Sequence, residues 1–198
     1  VAETVCNETY SGADWALAEV ERARYEDCAF HDVDWSEATL TGCTFVRCQF
    51  GNVRFNASVL ERTAMLQSVL QRCSFFDASL IDCKLTGTQF VDCGLRPLTV
   101  DGGDWGFVSL RGQNLTATKL GALRLADADL TGADLTRVDL RGADLSGVRL
   151  KDAVLKGADL RGADLVNVDL RDVDVTGAKI DMAQAVLLAR SYGAVVSD

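Results

Sequence analysis

The sequence predicts an all-β fold, a right-handed four-sided β-helix followed by one short C-terminal helix, on three observations. Every fifth residue from Val5 to Ile180 is apolar, 36 positions without a phase break. Two residues before each of these centres lies a second slot filled mostly by small residues, such as Ala133, Val138, Ala143, Val148, Ala153 and Ala158. The period stops after Ile180 and a helical pattern replaces it. With 48% apolar residues, a random chain fills only about half of the centres, so the period is not accidental.

Neither a 3.6-residue helix nor a two-residue strand keeps every fifth side chain on one face. A chain that turns a corner every five residues does, with centre and slot both pointing inward. Four sides make a coil of twenty residues, so 36 units stack as about nine coils. At strand spacing, roughly 4.8 Å, the rod is about 43 Å long. Each coil then contacts mainly its neighbours, as in other solenoids.

The two halves differ. Before residue 110 many centres are aromatic, and Trp15, Trp35, Phe55 and Phe75 are expected to stack in one column. Beyond it nearly all centres are leucine. Between Cys93 and Leu125 the slot holds Leu98, Gln113 and Leu123, and Pro97 is the only proline. The centres stay in step, which predicts a bend or a widened coil inside one domain, a domain boundary being the alternative. The expected organisation is a β-helix over 1–180 and a helix with its tail over 181–198. Asp181 suits an N-cap, Gln184 lies three residues on, and Gly193 suits the C-terminal stop. The helix is apolar nearly all round. One side can cover the open end of the β-helix, and the other, with Ala194, Val195 and Val196, reads as a two-fold dimer contact; a simple end cap is the other reading.

A net charge of −9 and a pI near 4.6 argue against direct binding to nucleic acid. No run of eighteen apolar residues is present to span a membrane. The first repeat begins too early for a signal peptide, so the chain is expected in the cytoplasm, although a start at Val1 leaves a removed leader open. Of seven cysteines, Cys28, Cys43, Cys48, Cys73, Cys83 and Cys93 all occupy the slot, where a free thiol acts as a small hydrophobe. No Cys-x-x-Cys pair suggests zinc. Cys28 with Cys48, and Cys73 with Cys93, stack within disulfide range, yet a reducing compartment predicts free thiols. His31 is the single histidine and follows a Phe centre, which places it toward solvent with no nucleophile tied to it. The aspartates recur just before the centres, where they fit a turn. No catalytic group, metal or cofactor is expected, and function is expected on the outer faces.

Assigned to four faces, the acids are richest beside the column Val20, Leu40, Leu60 and Leu80. That face offers Glu19, Glu21, Glu61, Asp82, Asp101, Asp139, Asp159 and Asp181. Duplex DNA carries about 25 charges over the length of such a rod, and this chain about a third of that. Composition alone therefore does not identify a DNA mimic.

The segment Ala128–Leu165 contains Ala-Asp-Leu five times. It resembles the pentapeptide-repeat family, whose unit is Ala-(Asp/Asn)-Leu-x-x, and the resemblance covers residues 3–180. Within that family the chain is most similar to the MfpA-type branch, the mycobacterial fluoroquinolone-resistance proteins, and more distantly to the Qnr group. This rests on the run from Cys93 to Asp101, on the leucine repeats that follow, on the ending Asp181 to Gly193, and on the lack of any loop inserted between Val5 and Ile180. The resemblance implies a dimeric rod joined through its C-terminal segments, with Met182, Val186, Leu187, Leu188, Ala189, Tyr192 and Val195 as contact residues. It also implies imitation of duplex DNA and binding of DNA gyrase, to inhibit it or to protect it from quinolones and natural gyrase poisons, through the acids Glu19, Glu21, Glu61, Asp82, Asp101, Asp139 and Asp159. The other reading of the surface is a general protein scaffold using the outward side chains of Phe76, Ile81 and Phe107.

Overall fold

The computed structural model describes residues 4–197 as one continuous right-handed β-solenoid ending in a helix. Pairing between coils is parallel with a constant offset of twenty residues, as in Val5↔Tyr25, Tyr10↔Phe30 and Val20↔Leu40. Three faces carry short strands. Thr4–Cys6, Arg24–Glu26, Thr44–Val46 and Ala64–Leu66 form one sheet. Thr9–Ser11, Ala29–His31, Gln49–Gly51, Val69–Gln71 and Gln89–Val91 form the second, and Glu19–Glu21, Thr39–Thr41, Val59–Glu61, Ala78–Ile81 and Leu98–Asp101 the third. The fourth face is held by single bridges through Asp14, Asp34, Arg54, Ser74 and Gly94. Beyond Asp101 every face is of this bridged kind.

The difference lies in the corners. On the bridged faces the slot N–H donates back to the carbonyl of the centre three residues before it, as in Ala38 to Trp35 (3.2 Å) and Ala133 to Leu130 (3.0 Å). An aspartate before the centre completes this tight corner by accepting the N–H two residues on, as Asp34 does from Ser36 (2.9 Å) and Asp164 from Val166 (2.9 Å). On the strand-bearing faces the slot N–H does not reach back, and the centre carbonyl needs another donor. At most of these corners a slot side chain in the next coil supplies it. Thr63 Oγ1 donates to the Leu40 carbonyl (2.9 Å), Thr88 Oγ1 to Met65 (2.6 Å) and Cys83 Sγ to Leu60 (3.2 Å). Cys28, Cys43, Cys48, Cys73 and Cys93 make the same bond at 3.4–3.6 Å.

The slot cysteines are therefore more than stand-ins for alanine, because they satisfy buried carbonyls that alanine cannot. All seven cysteines are free thiols, and burial pushes Cys48 and Cys83 up to about 11. Thr88→Val keeps the shape and removes the donor. It is expected to cost about 1–3 kcal/mol by leaving the Met65 carbonyl buried and unpaired, measured by chemical denaturation against the wild type.

The irregular stretch from Cys93 to Leu125 is where wide corners give way to tight ones. One of its odd slot residues follows from that change. Gln113 is long enough to reach the carbonyl of Phe90 (3.5 Å), one of the last strand-bearing centres. At Gly103, φ is +109° and an added Cβ would lie 2.3 Å from the Cys83 carbonyl oxygen, so only glycine fits there. The aromatic centres are concentrated in the strand-bearing coils. Tyr25 and Phe45 stack at 5.2 Å, Phe30 and Phe50 at 4.9 Å, and Phe55 and Phe75 at 4.7 Å. Leucine fills the centres of the coils above, where Leu115, Leu125, Leu130 and Leu135 are fully buried.

The helix α1 (Met182–Ser191) begins with the capping box expected from Asp181 and Gln184. Gln184 turns inward, donates to the carbonyls of Leu160 and Ala163, and so closes backbone groups that the last coil leaves open. Leu188 packs on the end of the core, beside a small apolar cavity of about 80 Å³ lined by Leu165, Leu170, Val175 and Ile180.

Candidate functional site

The interior is filled, so the surface is what remains for function. The expected acids divide by how their carboxylates are engaged. Asp139 makes a two-point pair with Arg141 (2.9 and 2.7 Å), and Asp159 with Arg161 (2.8 and 2.6 Å). Both also cap their own corners. Glu61 pairs with Arg62. Asp181 is bound to the N–H groups of Gln184 and Gly162 (3.0 and 2.8 Å). Glu19, Glu21, Asp82 and Asp101 are exposed and form no ion pair among the described residues. Glu21, Glu61 and Asp101 share one stacking column, two coils apart from each to the next.

The larger asymmetry runs along the rod and not around it. Residues 1–42 contain ten acids and only two bases, Arg22 and Arg24, whereas residues 43–198 contain nineteen acids and eighteen bases. Eight of the nine net negative charges therefore belong to the first 42 residues. Arg47 and Arg54 reach down from the third coil to Asp27 (2.7 Å) and Asp34 (2.6 Å). Glu8, Asp14, Glu19, Glu21, Asp32 and Glu37 stay exposed and outside any arginine pair among the described residues. Counting acids face by face misses this; counting them coil by coil along the same sequence finds it.

Other carboxylates along the rod are held by neighbours. Arg54 beside Asp34, Arg161 beside Asp159 and Arg171 beside Asp169 each hold the carboxyl down to about 2. Burial pushes Asp129 upward, but Thr131, Arg111 and Arg149 more than offset it and leave it well below the usual range. These groups bind fewer protons folded than unfolded, so the stability they contribute is present above about pH 4 and is lost as pH falls toward 2. Thermal melts followed by circular dichroism are expected to show a midpoint that falls steeply between about pH 4 and pH 2; an unchanged midpoint there contradicts these pairings.

At the other end, Met182 (80% exposed), Tyr192 (65%) and Val195 (95%) face solvent, with Leu187 and Val196 beside them and Val166 of the last coil also exposed. Val186 and Ala189 are half-buried, and Leu188 belongs to the core-facing side. Of the outward side chains expected as scaffold contacts, Phe76 and Phe107 are more than half exposed and Ile81 is half-buried. His31 is exposed. Among the described residues no group of three or more His, Cys, Asp or Glu side chains is placed to hold a metal ion, and no helix is long and apolar enough to cross a membrane.

A four-sided solenoid with a packed interior, tight corners capped by aspartate and a helix over one end defines a class of β-helical repeat proteins. The chain belongs to the pentapeptide-repeat family: eight copies of the repeat match over residues 26–62, 109–147 and 149–183. The stretch 63–108, between the first two matched segments, includes the last strand-bearing coils, where Cys and Thr often replace Ala in the slot. Curated protein sequences give no match to the chain. Among solved structures, the chain is similar to a trypsin-treated form of QnrB1, a plasmid-mediated fluoroquinolone resistance protein, with a TM-score of 0.85, 21% identity, and coverage of 99% of this chain and 98% of that one. A second trypsin-treated form of QnrB1 gives 0.69 at 21% identity over 99% and 98%. Full-length QnrB1 gives 0.52 at 20% identity over 97% and 100%. At such identity the likeness is one of fold.

Proposed function

We propose that this protein binds DNA gyrase as a dimeric, non-catalytic rod whose acidic end imitates duplex DNA, and that it thereby inhibits the enzyme or protects it from quinolones and natural gyrase poisons. The observation that carries this reading is the concentration of eight of the nine net negative charges in residues 1–42, where Glu8, Asp14, Glu19, Glu21, Asp32 and Glu37 stay exposed and outside any arginine pair among the described residues. A compact acidic surface on a stiff rod attracts the kind of basic surface that receives DNA, and the attraction weakens with salt. The fold shared with a fluoroquinolone resistance protein supports the choice of target. Along the rod's richest face, Glu19, Glu21, Asp82 and Asp101 are the free acids, while Glu61, Asp139 and Asp159 are already paired and contribute less.

The exposed side of α1 with Val195 supports a two-fold contact between copies, through Met182, Leu187 and Tyr192. In a dimer joined there, the two acidic ends point away from each other, one at each tip. Supercoiling assays with purified gyrase, with and without a quinolone, test the function. Inhibition or drug protection at micromolar protein is expected; no effect on either overturns the reading. Recovery of other proteins at high salt through Phe76 and Phe107 favours the scaffold instead.

A further inference from the structure

The residue two after each centre adopts a left-handed backbone at nearly every corner, with φ close to +55°. Gly, Asp, Asn and Arg fill most of these positions. Left-handed geometry is costly for bulky L-residues and suits glycine, asparagine and aspartate. Among the described residues only two of these corners carry a large apolar side chain, Leu17 (φ 62°) and Phe107 (φ 59°). Leu17 is 70% exposed, so packing does not favour leucine there any more than the backbone does.

The surroundings of Leu17 distinguish it from Phe107. Glu37 occupies the same corner one coil above, and the Leu17 N–H donates to the Ser36 carbonyl of that coil (2.9 Å). Glu19 and Glu21 follow on the adjoining face, Asp14 precedes it, and Ala16 beside it is exposed. An apolar side chain thus stands inside the rim of free carboxylates. Interfaces gain most of their affinity from a few buried apolar or aromatic anchors, while charges around them steer and select the partner.

We infer that Leu17 is the apolar anchor of the partner-facing surface, inserted into an apolar recess flanked by basic side chains; this rests on the gyrase reading above. The acidic rim commits the occupant to a cationic protein surface. It repels nucleic acid, an anionic membrane and the same end of a second copy. Leu17 supplies affinity that salt does not screen, and Glu19 and Glu21 supply the part that it does.

The test uses the full chain and purified gyrase, with binding measured at about 50 mM and about 300 mM salt. Leu17→Asn and Leu17→Gly both suit the corner and are expected to melt no lower than the wild type. Each is expected to bind at least about tenfold more weakly at both salt concentrations. Glu19→Gln with Glu21→Gln is expected to weaken binding at low salt and little at high salt. Wild-type affinity in both Leu17 variants overturns the anchor and leaves the gyrase reading intact. Absence of binding by the wild type overturns both. A changed sedimentation state in the Leu17 variants with gyrase affinity unaltered shows a contact between copies and also overturns the inference.

Discussion

Trp35→Ala is expected to cost about 3–5 kcal/mol, the largest effect of any single truncation considered. Trp35 is 1% exposed and lies 5.2 Å from the Trp15 ring, 5.2 Å from Phe30 and 5.3 Å from Phe55. Two things prevent the coil from closing over the gap. The ladder of inter-coil hydrogen bonds, among them Trp35 N–H to the Arg54 carbonyl (2.7 Å), fixes the backbone on every side. The neighbouring rings are themselves stacked and have no space to move into. Because each coil leans mainly on its neighbours, the damage is expected to concentrate in the first coils and to separate their unfolding from that of the leucine half. Two-stage denaturation by tryptophan fluorescence and circular dichroism checks this. Trp35→Phe is the control. The Trp35 indole N–H is buried without a partner, and Phe55 and Phe75 hold the same position in the coils above, so phenylalanine is expected to cost far less than alanine.

The second large effect is on binding. Replacing Glu19, Glu21 and Glu37 together with glutamine is expected to weaken the gyrase complex roughly tenfold to a hundredfold at low ionic strength, at about 0.5–1 kcal/mol per charge. The same change is expected to flatten the dependence of affinity on salt. None of the three is in an ion pair among the described residues, and all are exposed, so the fold loses nothing by their neutralisation. Asp139→Asn with Asp159→Asn is the contrasting pair. Those carboxylates already hold Arg141 and Arg161, so their removal is expected to lower stability and to change binding little.

The fold was legible because a period of five admits few solutions, and the centres never slip from Val5 to Ile180. The helix was legible through its box, since Asp181 and Gln184 each satisfy the other's backbone. The corner type was only half legible. Aspartate before the centre marks tight corners such as those at Trp35 and Leu165, and Thr or Cys in the slot marks a wide corner one coil below. That second signal is a side chain answering a carbonyl 23 residues earlier, as Thr63 answers Leu40, and the repeat shows its purpose only once the coils are stacked. Cys83 therefore reads as filler in the sequence and as a donor in the structure.

The acidic face was legible in composition but not in engagement. Asp139 and Glu19 look alike in the sequence, yet one is tied to an arginine and its own corner and the other faces water. Leu17 was not singled out, because the period marks inward positions and is silent about corners.

Competition with DNA tests the central claim most directly. A preformed complex of gyrase and this protein, titrated with linear duplex DNA, is expected to dissociate as DNA binds, with each ligand raising the apparent dissociation constant of the other. A ternary complex in which both bind gyrase with unaltered affinity contradicts the account, because a surface that imitates DNA cannot share its site.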